Sequence, residues 1–437
     1  MKKPNRPIQL KSNCERGRTV KFYTVGCKVN QYETQSIKEQ FAKRGFQEAE
    51  DNRPCDIYLV NTCTVTHKAD RDSRRFIHKA IRDNPESLVI VTGCYVELDG
   101  DKIAKIPGVA HVVKNKDKHR ITGLLSNDNQ DNELGETGIT GFREHSRAFL
   151  KIQDGCDNRC SYCRVPLARG ASRSRPLNDI RREAKILAEN GFKEIVLAGI
   201  CLGTYGRDLK PQVNLVDAIE AIENIEELRR IRLSSIEAGN ISDRLINKMA
   251  QSKKLCRHLH IPIQSGDDAI LARMNRRYSR AGYLDLINKI KSAISGIAIT
   301  TDIIVGFPGE KEENFQNTIS LIKEILPLRV HIFPYSPRPN TTAVNLKDRV
   351  NLDTIKNRVL ALQDAANNCS QAYMEQFLGQ DMDVLVEERL KESSKFWQGH
   401  THNYIKVRIE SSQALKNLII TARLKKISGD SMLADSC

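Results

Sequence analysis

Three cysteines lie within the eight residues CDNRCSYC, at positions Cys156, Cys160 and Cys163. A disulfide pairs thiols two at a time, and a zinc site usually adds a histidine or a fourth cysteine at short spacing. No histidine lies between His145 and His258, so the zinc alternative is weak, and buried, inert thiols are the remaining one. Three thiolates suit a [4Fe–4S] cluster and leave its fourth iron open to bind a substrate. The loop follows a predicted strand, so we expect it at the mouth of an α/β array.

A second trio of cysteines is spread through the first hundred residues. Cys27, Cys63 and Cys94 end the β-branched runs TVKFYTVGC, DIYLVNTC and SLVIVTGC, and their separations of 36 and 31 residues match one βα unit each. Because the strand ends of an open parallel sheet meet at one edge, these thiols are predicted to be neighbours. A single cysteine at a strand end is often a small packing residue. Three in register, each with polar neighbours, favour a second cluster with three protein ligands.

The composition limits the class of protein. The chain has 437 residues, a formal net charge of +15 and twelve cysteines, so two or three domains and a polyanionic partner such as RNA are expected. No apolar run approaches the ~20 residues of a membrane span, and the basic N-terminus lacks the apolar core of a signal peptide. These features predict a cytoplasmic protein with no membrane segment. In that reducing compartment, the cysteines are expected to have metal or redox roles rather than to form disulfides.

The order of apolar runs predicts an α/β fold with an added β-barrel. Four β-branched runs alternate with helical segments over residues 18–125, which is typical of a parallel sheet. A polar, glycine-containing stretch at 126–146 predicts a linker. Residues 147–378 contain six strand–helix repeats, which predict a partial (β/α)6 barrel whose active site lies at the C-terminal ends of its strands, followed by a long helix at 350–377. Short strand-like runs over 381–437 predict a small β-barrel.

The cysteine loop and its surroundings resemble a known family. The loop is similar to the CxxxCxΦC signature of radical S-adenosylmethionine (SAM) enzymes, with Tyr162 as the aromatic residue next to the open cluster. From about residue 19 onward the chain resembles the radical SAM methylthiotransferases. The resemblance rests on TVGCKVNQYETQ, LVNTCTVT, VTGC, KIQDGCDNRCSYC, ARGASRSRP, HLHIPIQSG, TDIIVGFPGE and FPYSPRP. It implies that the tail is a TRAM domain, an OB-like barrel that recognises RNA.

The resemblance implies two [4Fe–4S] clusters and SAM as cofactors. One cluster, on the CDNRCSYC loop, would bind SAM and cleave it to a 5′-deoxyadenosyl radical. The auxiliary cluster, on the N-terminal trio, would carry the sulfur to be transferred. Around SAM, Gly199 would let the backbone approach the methionine part, Gln264 and Ser265 would lie near the ribose, and Gly306 would contact the adenine. Each of these residues would look the same as an ordinary turn residue.

Three positions depart from the family pattern. Leu167 stands where an aromatic residue is frequent, Asn340 follows SPRP where the family commonly has glycine, and Cys201 occupies a variable loop position. None of them is a predicted cluster ligand. Leu167 and Asn340 bear on local substrate contacts.

The basic excess is concentrated after the signature loop. Residues 147–185 hold ten Lys or Arg against four Asp or Glu, and a solvated charged face is the ordinary explanation. The basic residues directly after the loop are Arg164, Arg169, Arg173 and Arg175. Their position and the resemblance favour contacts of Arg173 and Arg175 with tRNA phosphates or a substrate carboxylate. In the tail, which has nine basic and eight acidic residues, Tyr404 and Trp397 are the expected stacking groups for RNA.

The strings CKVNQYE and NTCTVT resemble bacterial enzymes that methylthiolate N6-threonylcarbamoyladenosine (t6A) at tRNA position 37. This implies replacement of C2–H by S–CH3 with two SAM molecules, a tRNA anticodon stem-loop as partner, and an electron donor such as flavodoxin or ferredoxin. Lys28 is the first candidate to meet the acceptor's carboxylate. The alternatives are the same reaction on isopentenyladenosine or on a ribosomal protein, and a non-catalytic RNA-binding iron–sulfur sensor. Removal of the tail is expected to weaken tRNA binding and to leave SAM cleavage intact.

Overall fold

A computed structural model describes residues 18–50, 53–125, 138–142, 145–390 and 395–436. These residues form two compact units. The first contains the described residues up to Gly141 together with Gly155–Asp157 and Arg164–Ala171, and the second contains the rest. None of the helices in the described part of the chain has the length and apolar character needed to cross a membrane.

The first unit is built on a five-stranded parallel sheet. Its elements are β1 (Thr19–Thr24), α1 (Lys28–Lys43), β2 (Gln47–Glu48), β3 (Ile57–Thr62), α2 (His67–Asp83), β4 (Leu88–Gly93), α3 (Cys94–Ile103) and β5 (Val109–Val113). The strand order is β2-β1-β3-β4-β5. Alternate residues of β3 enter two separate apolar clusters, Tyr58 and Val60 in one and Ile57 and Leu59 in the other. A strand covered on both faces requires this arrangement, and the predicted parallel sheet is confirmed.

The second unit begins with six parallel strands in series. The elements that follow β5 are β6 (Arg147–Lys151), β7 (Gln153–Asp154), α4 (Val165–Arg169, part of the first unit), β8 (Arg173–Ser174), α5 (Leu177–Glu189), β9 (Glu194–Ala198), α6 (Leu215–Glu223), β10 (Arg230–Leu233), α7 (Asp243–Gln251), β11 (His258–His260), α8 (Asp268–Arg273), α9 (Arg280–Ala293), β12 (Ala298–Val305), α10 (Glu312–Ile325), β13 (Arg329–Pro334) and α11 (Leu352–Glu375). The six parallel strands form two sheets, β10-β9-β6 and β11-β12-β13, and the two-residue strands β7 and β8 form a separate antiparallel pair. A bridge between Ile231 and Leu255 connects β10 to the segment that leads into β11. The predicted partial barrel and its long closing helix are confirmed.

The tail folds as a closed five-stranded barrel, as predicted. Its strands are β14 (Asp381–Arg389), β15 (Phe396–Thr401), β16 (Lys406–Glu410), β17 (Ile419–Ser428) and β18 (Ser431–Ser436), in the order β14-β15-β16-β18-β17. The sequence FWQGHTHNYIKVRIES reads as a single strand-like run, but in the structure a turn separates β15 from β16. In that turn Tyr404 has a φ of 69° and its N–H donates to the carbonyl of Thr401 at 3.0 Å.

The turn between β15 and β16 packs on three buried charged side chains near the start of the partial-barrel strands β9 and β10. They are Glu194, Arg230 and Arg232. Glu194 is fully buried at the start of β9, and its carboxylate accepts from Arg232 Nε at 2.6 Å. Arg232 also donates to the carbonyl of Thr401, and Arg230 donates to the carbonyl of His400 at 3.1 Å. The small barrel therefore supplies acceptors that the guanidinium groups of the partial barrel would otherwise lack.

The predicted linker at 126–146 falls largely outside the described residues. In its described part, Thr140 donates from its backbone N–H and its hydroxyl to the carboxylate of Glu39 on α1, at 2.9 and 3.0 Å. This contact holds Thr140 against α1 within the first unit.

Candidate active site

The structure brings the N-terminal trio of cysteines together at one edge of the first sheet. Cys27 precedes α1, Cys63 follows β3 and Cys94 begins α3. A Cβ placed on Gly26 would lie 3.1 Å from Cys63 Sγ, so the segment before Cys27 touches Cys63. Burial raises the pKa of Cys63 to about 12, and the nearby thiols of Cys94 and Cys27 add to that rise. Cys63 and Cys94 are buried and Cys27 is exposed, which gives three soft ligands with one open side.

A buried cation lies beside this trio. The side chain of Arg169, at the end of α4, is 1% exposed, and its guanidinium pairs with both carboxylate oxygens of Glu33 at 2.9 and 3.2 Å. Lys118 pairs with the same carboxylate. Burial raises the pKa of Cys94, and the Arg169 charge opposes that rise. Cations next to a thiol favour the thiolate, which is the form that binds metals.

The string CKVNQYE therefore has a physical explanation. Asn30 donates to the carbonyls of Val25 and Thr62 at 2.7 and 3.0 Å, which ties the ends of β1 and β3 together. Its side-chain oxygen also accepts from Arg169. The Asn and Glu of this string thus position the cation that faces the thiols.

The signature loop is held by backbone and side-chain contacts. The Cys163 N–H donates to the carbonyl of Cys160 at 3.1 Å, and the Cys156 N–H donates to the carbonyl of Gly170 at 3.0 Å. Ser161 donates from its N–H to Met274 and from its hydroxyl to Arg273, at 3.0 and 2.8 Å. All three cysteines are half-buried.

Sequence reasoning missed Arg276, which lies directly at a thiol of this loop. Its Nη1 donates to Cys160 Sγ at 3.4 Å, and its side chain is 4% exposed and pairs with Glu237 at 2.5 Å. A buried donor to a cysteine sulfur stabilises the thiolate and orients it as a ligand. Arg276 is one of three arginines in the stretch NRRYSR, and no sequence signal distinguishes it for this role.

The two glycines predicted to adjoin SAM are also required by the fold. A Cβ on Gly199 would lie 2.9 Å from Gln153 Oε1, which accepts from the N–H groups of Ile200 and Cys201 at 2.9 and 2.8 Å. Gly306 has a φ of +78° and a Cβ there would lie 2.4 Å from Ile355. Contact of either glycine with SAM stays a prediction.

The other residues predicted around SAM, Gln264, Ser265 and Tyr162, differ in burial and in their contacts. Gln264 is half-buried with a φ of 78°, a strained conformation for a non-glycine residue that is frequent at functional sites. Ser265 is 0% exposed and its Oγ accepts from the N–H of Asp267 at 3.3 Å, and its position near the ribose stays a prediction. Tyr162 lies edge-on to Phe307 and its hydroxyl is 3.4 Å from Arg276 Nη1.

The basic residues after the loop separate into buried and exposed groups. Arg164 and Arg169 are buried. Arg175 is also largely buried, since it pairs with Glu183 at 2.6 Å and donates to the carbonyl of Lys151. The expected role of Arg175 in phosphate binding is therefore corrected, because its guanidinium is used inside the second unit. The side chain of Arg173 is 61% exposed and pairs with Asp154 at 3.8 Å, and its contact with tRNA stays a prediction.

The aromatic residues of the small barrel are engaged within the chain. The Tyr404 ring stacks on His258 and His400 with centroids 4.3 and 4.8 Å apart, and the Arg232 guanidinium carbon is 4.6 Å from its centroid. Trp397 is 7% exposed. These contacts correct the expectation that the two rings are presented to RNA bases. Lys28 is exposed at the start of α1, next to Cys27, where it was expected to meet a substrate.

Two of the departures from the family pattern have structural explanations. Asn340 has a φ of 63°, a left-handed conformation that glycine adopts freely and that asparagine tolerates better than most residues. Cys201 is buried, and its sulfur accepts from the amides of Asn158 and Asn240 at 3.8 Å. Leu167 is 50% exposed, and no contact explains it.

A His–Asp–His group in the partial barrel has the spacing of a metal site, since one ligand atom from each of His260, Asp302 and His331 lies within 4.8 Å of the others. The same atoms are already hydrogen-bonded, because Asp302 Oδ1 accepts from His260 Nε2 at 3.2 Å and from His331 Nδ1 at 3.0 Å. Despite burial, these bonds hold the pKa of Asp302 well below its usual range. The group is satisfied without a metal.

Comparisons with known proteins agree with this geometry. Residues 150–322 match the sequence model described as the radical SAM superfamily, and residues 19–114 match that of uncharacterized protein family UPF0004. The solved radical S-adenosylmethionine methyltransferase TsrM from Kitasatospora setae shares the fold, with a TM-score of 0.53 and 13% identity over 75% of this chain and 77% of that one. The cobalamin-dependent SAM radical enzyme OxsB gives a TM-score of 0.50 and 12% identity over 82% of this chain and 56% of that one.

Curated relatives cover nearly the whole chain. The threonylcarbamoyladenosine tRNA methylthiotransferase MtaB of Bacillus subtilis is 38% identical over 93% of this chain and 94% of its own length. The protein of the same name from Thermotoga maritima is 36% identical over 85% of this chain and 87% of its own. The tRNA-2-methylthio-N(6)-dimethylallyladenosine synthase of Clostridium tetani is 33% identical over 86% and 87%. With its two sets of three cysteines in place, the chain belongs to the radical S-adenosylmethionine methylthiotransferase family.

Proposed function

We propose that this enzyme replaces the C2–H of t6A at position 37 of tRNA, next to the anticodon, with S–CH3. The proposal is supported chiefly by the convergence of Cys27, Cys63 and Cys94 at one sheet edge, in a chain that also carries the CxxxCxxC loop. The similarity to relatives named for t6A favours that acceptor. Isopentenyladenosine and a ribosomal protein are the alternative acceptors, and a non-catalytic RNA-binding iron–sulfur sensor is the alternative class.

The cofactors of this family are SAM and [4Fe–4S] clusters. We assign Cys156, Cys160 and Cys163 to the cluster that binds SAM, and the N-terminal trio to the auxiliary cluster. When bound, the two clusters supply the electron for SAM cleavage and the sulfur for transfer. The chain contributes soft ligands, and it places a buried guanidinium beside each set, Arg276 at Cys160 and Arg169 at Cys94. These cations offset the charge of the thiolates.

We further propose domain boundaries of 18–125, 147–378 and 381–437, with 126–146 as the linker. The matches to the two family models, which end at residue 114 and begin at residue 150, support a boundary between them. The proposed reaction needs an electron donor, such as flavodoxin or ferredoxin. Because its substrate is tRNA, we also propose a cytoplasmic location.

The acceptor can be tested directly with tRNA that carries each modification. The carboxylate of t6A needs a cation or several donors, and such a pocket discriminates against the apolar isopentenyl group, by up to ~10⁴-fold. Nucleoside mass spectrometry should therefore find 2-methylthio product on t6A tRNA. Preference for isopentenyladenosine tRNA, or activity only on a protein, would overturn the acceptor.

Replacing Lys28 by alanine should lower kcat/KM for t6A tRNA by about 10- to 100-fold, the cost of losing one hydrogen bond to a charged group. Lys43→Ala is the matched control, because Lys43 is an exposed lysine in the last turn of the same helix. If the two substitutions had equal effects, Lys28 would be an ordinary surface lysine and not a contact of the t6A carboxylate.

The arginines after the loop give a second prediction. Arg173→Ala should reduce the log–log salt slope of tRNA binding by about 0.7 to 0.9, the value for one lost phosphate contact. Arg175→Ala should leave the slope unchanged and destabilise the protein by about 3–5 kcal/mol, because Glu183 would stay buried without its cation. Binding titrations across salt concentrations and urea unfolding measure the two effects. A changed slope in Arg175→Ala would contradict the structural assignment.

A further inference from the structure

The exposed side of α2 is made only of basic and imidazole side chains. The residues of this helix that are exposed are His67, Lys68, Arg71, Arg74, Arg75, His78 and Arg82. Their spacing of three and four residues places them on one face. The opposite face carries the buried residues Asp70, Ser73, Ile77 and Ala80. The helix therefore presents a continuous basic face, which spans ~22 Å from residue 67 to residue 82 at ~1.5 Å per residue.

This face differs from an ordinary solvated helix surface, which mixes both signs of charge. On α5, for comparison, Arg182 pairs with Asp179 at 2.8 Å and Lys185 pairs with Glu189 at 3.6 Å. Of the three acidic residues of α2, Asp70 is buried, Asp83 accepts from Tyr23, and Asp72 pairs with a cation of the basic face, Arg75.

Three cations of the basic face lack a counter-charge. No carboxylate of the described residues lies within 4.0 Å of Lys68, Arg71 or Arg82, while Arg75 pairs with Asp72 at 3.3 Å. Like charges three and four residues apart destabilise a helix. A face that keeps them is explained by an anionic partner.

The basic face is fixed to the auxiliary cysteines. The helix begins four residues after Cys63. On its buried side the Ser73 hydroxyl accepts from the N–H of Cys63 at 3.2 Å and donates to the carbonyl of Cys63 at 3.1 Å. Thr66 caps the helix by accepting from the N–H of Ala69 at 3.1 Å. A ligand bound along the face is therefore held at a defined position relative to Cys63.

We propose that the basic face of α2 binds the phosphate backbone of the tRNA anticodon stem and so directs the modified nucleoside of the loop to the N-terminal cysteine trio. The inference rests on the proposed function, since it takes tRNA as the substrate. Arginine and lysine contacts to phosphates position a nucleic acid without reading its sequence. An anionic membrane is a poorer fit, because the apolar residues of α2 are buried or partly buried and none is exposed for insertion into lipid.

The test compares two triple variants that each remove three positive charges from an exposed helix. One is Lys68→Ala with Arg71→Ala and Arg82→Ala on α2. The matched control is Arg181→Ala with Arg182→Ala and Lys185→Ala on α5. The α2 variant should bind unmodified tRNA on the order of 10²-fold more weakly at 0.1 M salt, with a log–log salt slope reduced by about two. The control should keep the wild-type slope. Iron and sulfide contents equal to those of the wild type verify that both variants are folded.

An unchanged slope in the α2 variant, or an equal loss in the control, would overturn the proposal. The proposal would also be overturned if the wild-type enzyme bound phosphatidylserine vesicles and the α2 variant lost that binding while the salt slope of its tRNA binding was unaltered. Failure of the proposed function is a separate result, because wild-type enzyme would then make no methylthioadenosine even though tRNA binding still depended on α2.

Discussion

Cys160→Ala is expected to abolish reductive cleavage of SAM while about half of the iron and sulfide stays bound. The signature loop provides three thiols and no spare one, so loss of any leaves too few ligands for its cluster. The N-terminal trio belongs to the first unit and keeps all of its thiols. Cys156→Ala and Cys163→Ala should behave in the same way. The measurements are 5′-deoxyadenosine formation under reducing conditions without tRNA, and iron and sulfide analysis of the reconstituted protein.

The N-terminal trio should give the opposite result. Cys63→Ser, which keeps the volume of the buried side chain, should still form 5′-deoxyadenosine but no methylthio product on tRNA. Cys369→Ala is the control, since Cys369 is a buried thiol of α11, outside both sets of three cysteines, whose Sγ donates to the carbonyl of Ile322 at 3.5 Å. It should retain both activities. Unchanged 5′-deoxyadenosine formation by Cys160→Ala would contradict the assignment of the signature loop to the SAM-binding cluster. Retained methylthio product with Cys63→Ser would contradict the assignment of the N-terminal trio to the auxiliary cluster.

Local patterns predicted the elements of the fold and the cysteine trio. Continuous β-branched runs define strands buried on both faces, and the strand-end rule then places Cys27, Cys63 and Cys94 together without knowledge of any contact. Short elements escaped this reasoning. The two residues of β2 are both exposed and have no apolar pattern.

The buried cations could not be predicted, because their positions depend on distant partners. Arg169 meets Glu33 across 136 residues of sequence and Arg276 meets Cys160 across 116. Along the chain, the buried Arg175 and the exposed Arg173 look alike. Only the fold decides which of them reaches a carboxylate.

The turn at Tyr404 could not be predicted from the sequence, for a different reason. The stretch from Phe396 to Ser411 contains no proline and no glycine after Gly399, so neither of these residues marks a turn between two strands. The turn is made by side chains, as Thr401 Oγ1 accepts from the N–H of Ile405 at 2.9 Å. Once formed, it places Tyr404 and the carbonyl of Thr401 against the arginines of the partial barrel.

This packing reverses the expectation that removal of the tail leaves SAM cleavage intact. Deletion of residues 381–437 should abolish SAM cleavage as well as tRNA binding. The deletion removes acceptors of Arg230 and Arg232 and exposes an apolar surface. That surface consists of Ala298, Leu328, Tyr373, Met374 and Phe377, which share one cluster with the small barrel. Soluble truncated protein with wild-type 5′-deoxyadenosine formation would contradict this result.

Because the deletion removes many contacts at once, a single substitution isolates the charged group. Glu194→Gln should destabilise the protein by about 3–5 kcal/mol, since it removes the buried carboxylate that pairs with Arg232 at 2.6 Å and lies 3.8 and 3.9 Å from Arg230 and Arg147. The control is Glu189→Gln, because Glu189 is an exposed partner of Lys185, and its loss should cost less than about 1 kcal/mol. Urea unfolding at neutral pH compares the two variants.

The pH dependence of the same pair of variants identifies the carboxylate as the source of the effect. Burial raises the pKa of Glu194, but the surrounding guanidiniums outweigh it and lower the pKa from 4.5 to about 2. A lowered pKa in the folded state means that the ionised group stabilises the protein above pH ~4.5 and loses that contribution as the pH falls toward 2. The difference in unfolding free energy between wild type and Glu194→Gln should therefore be constant near neutral pH and shrink below pH ~4.5. A difference that does not change with pH would assign the loss to packing instead of charge.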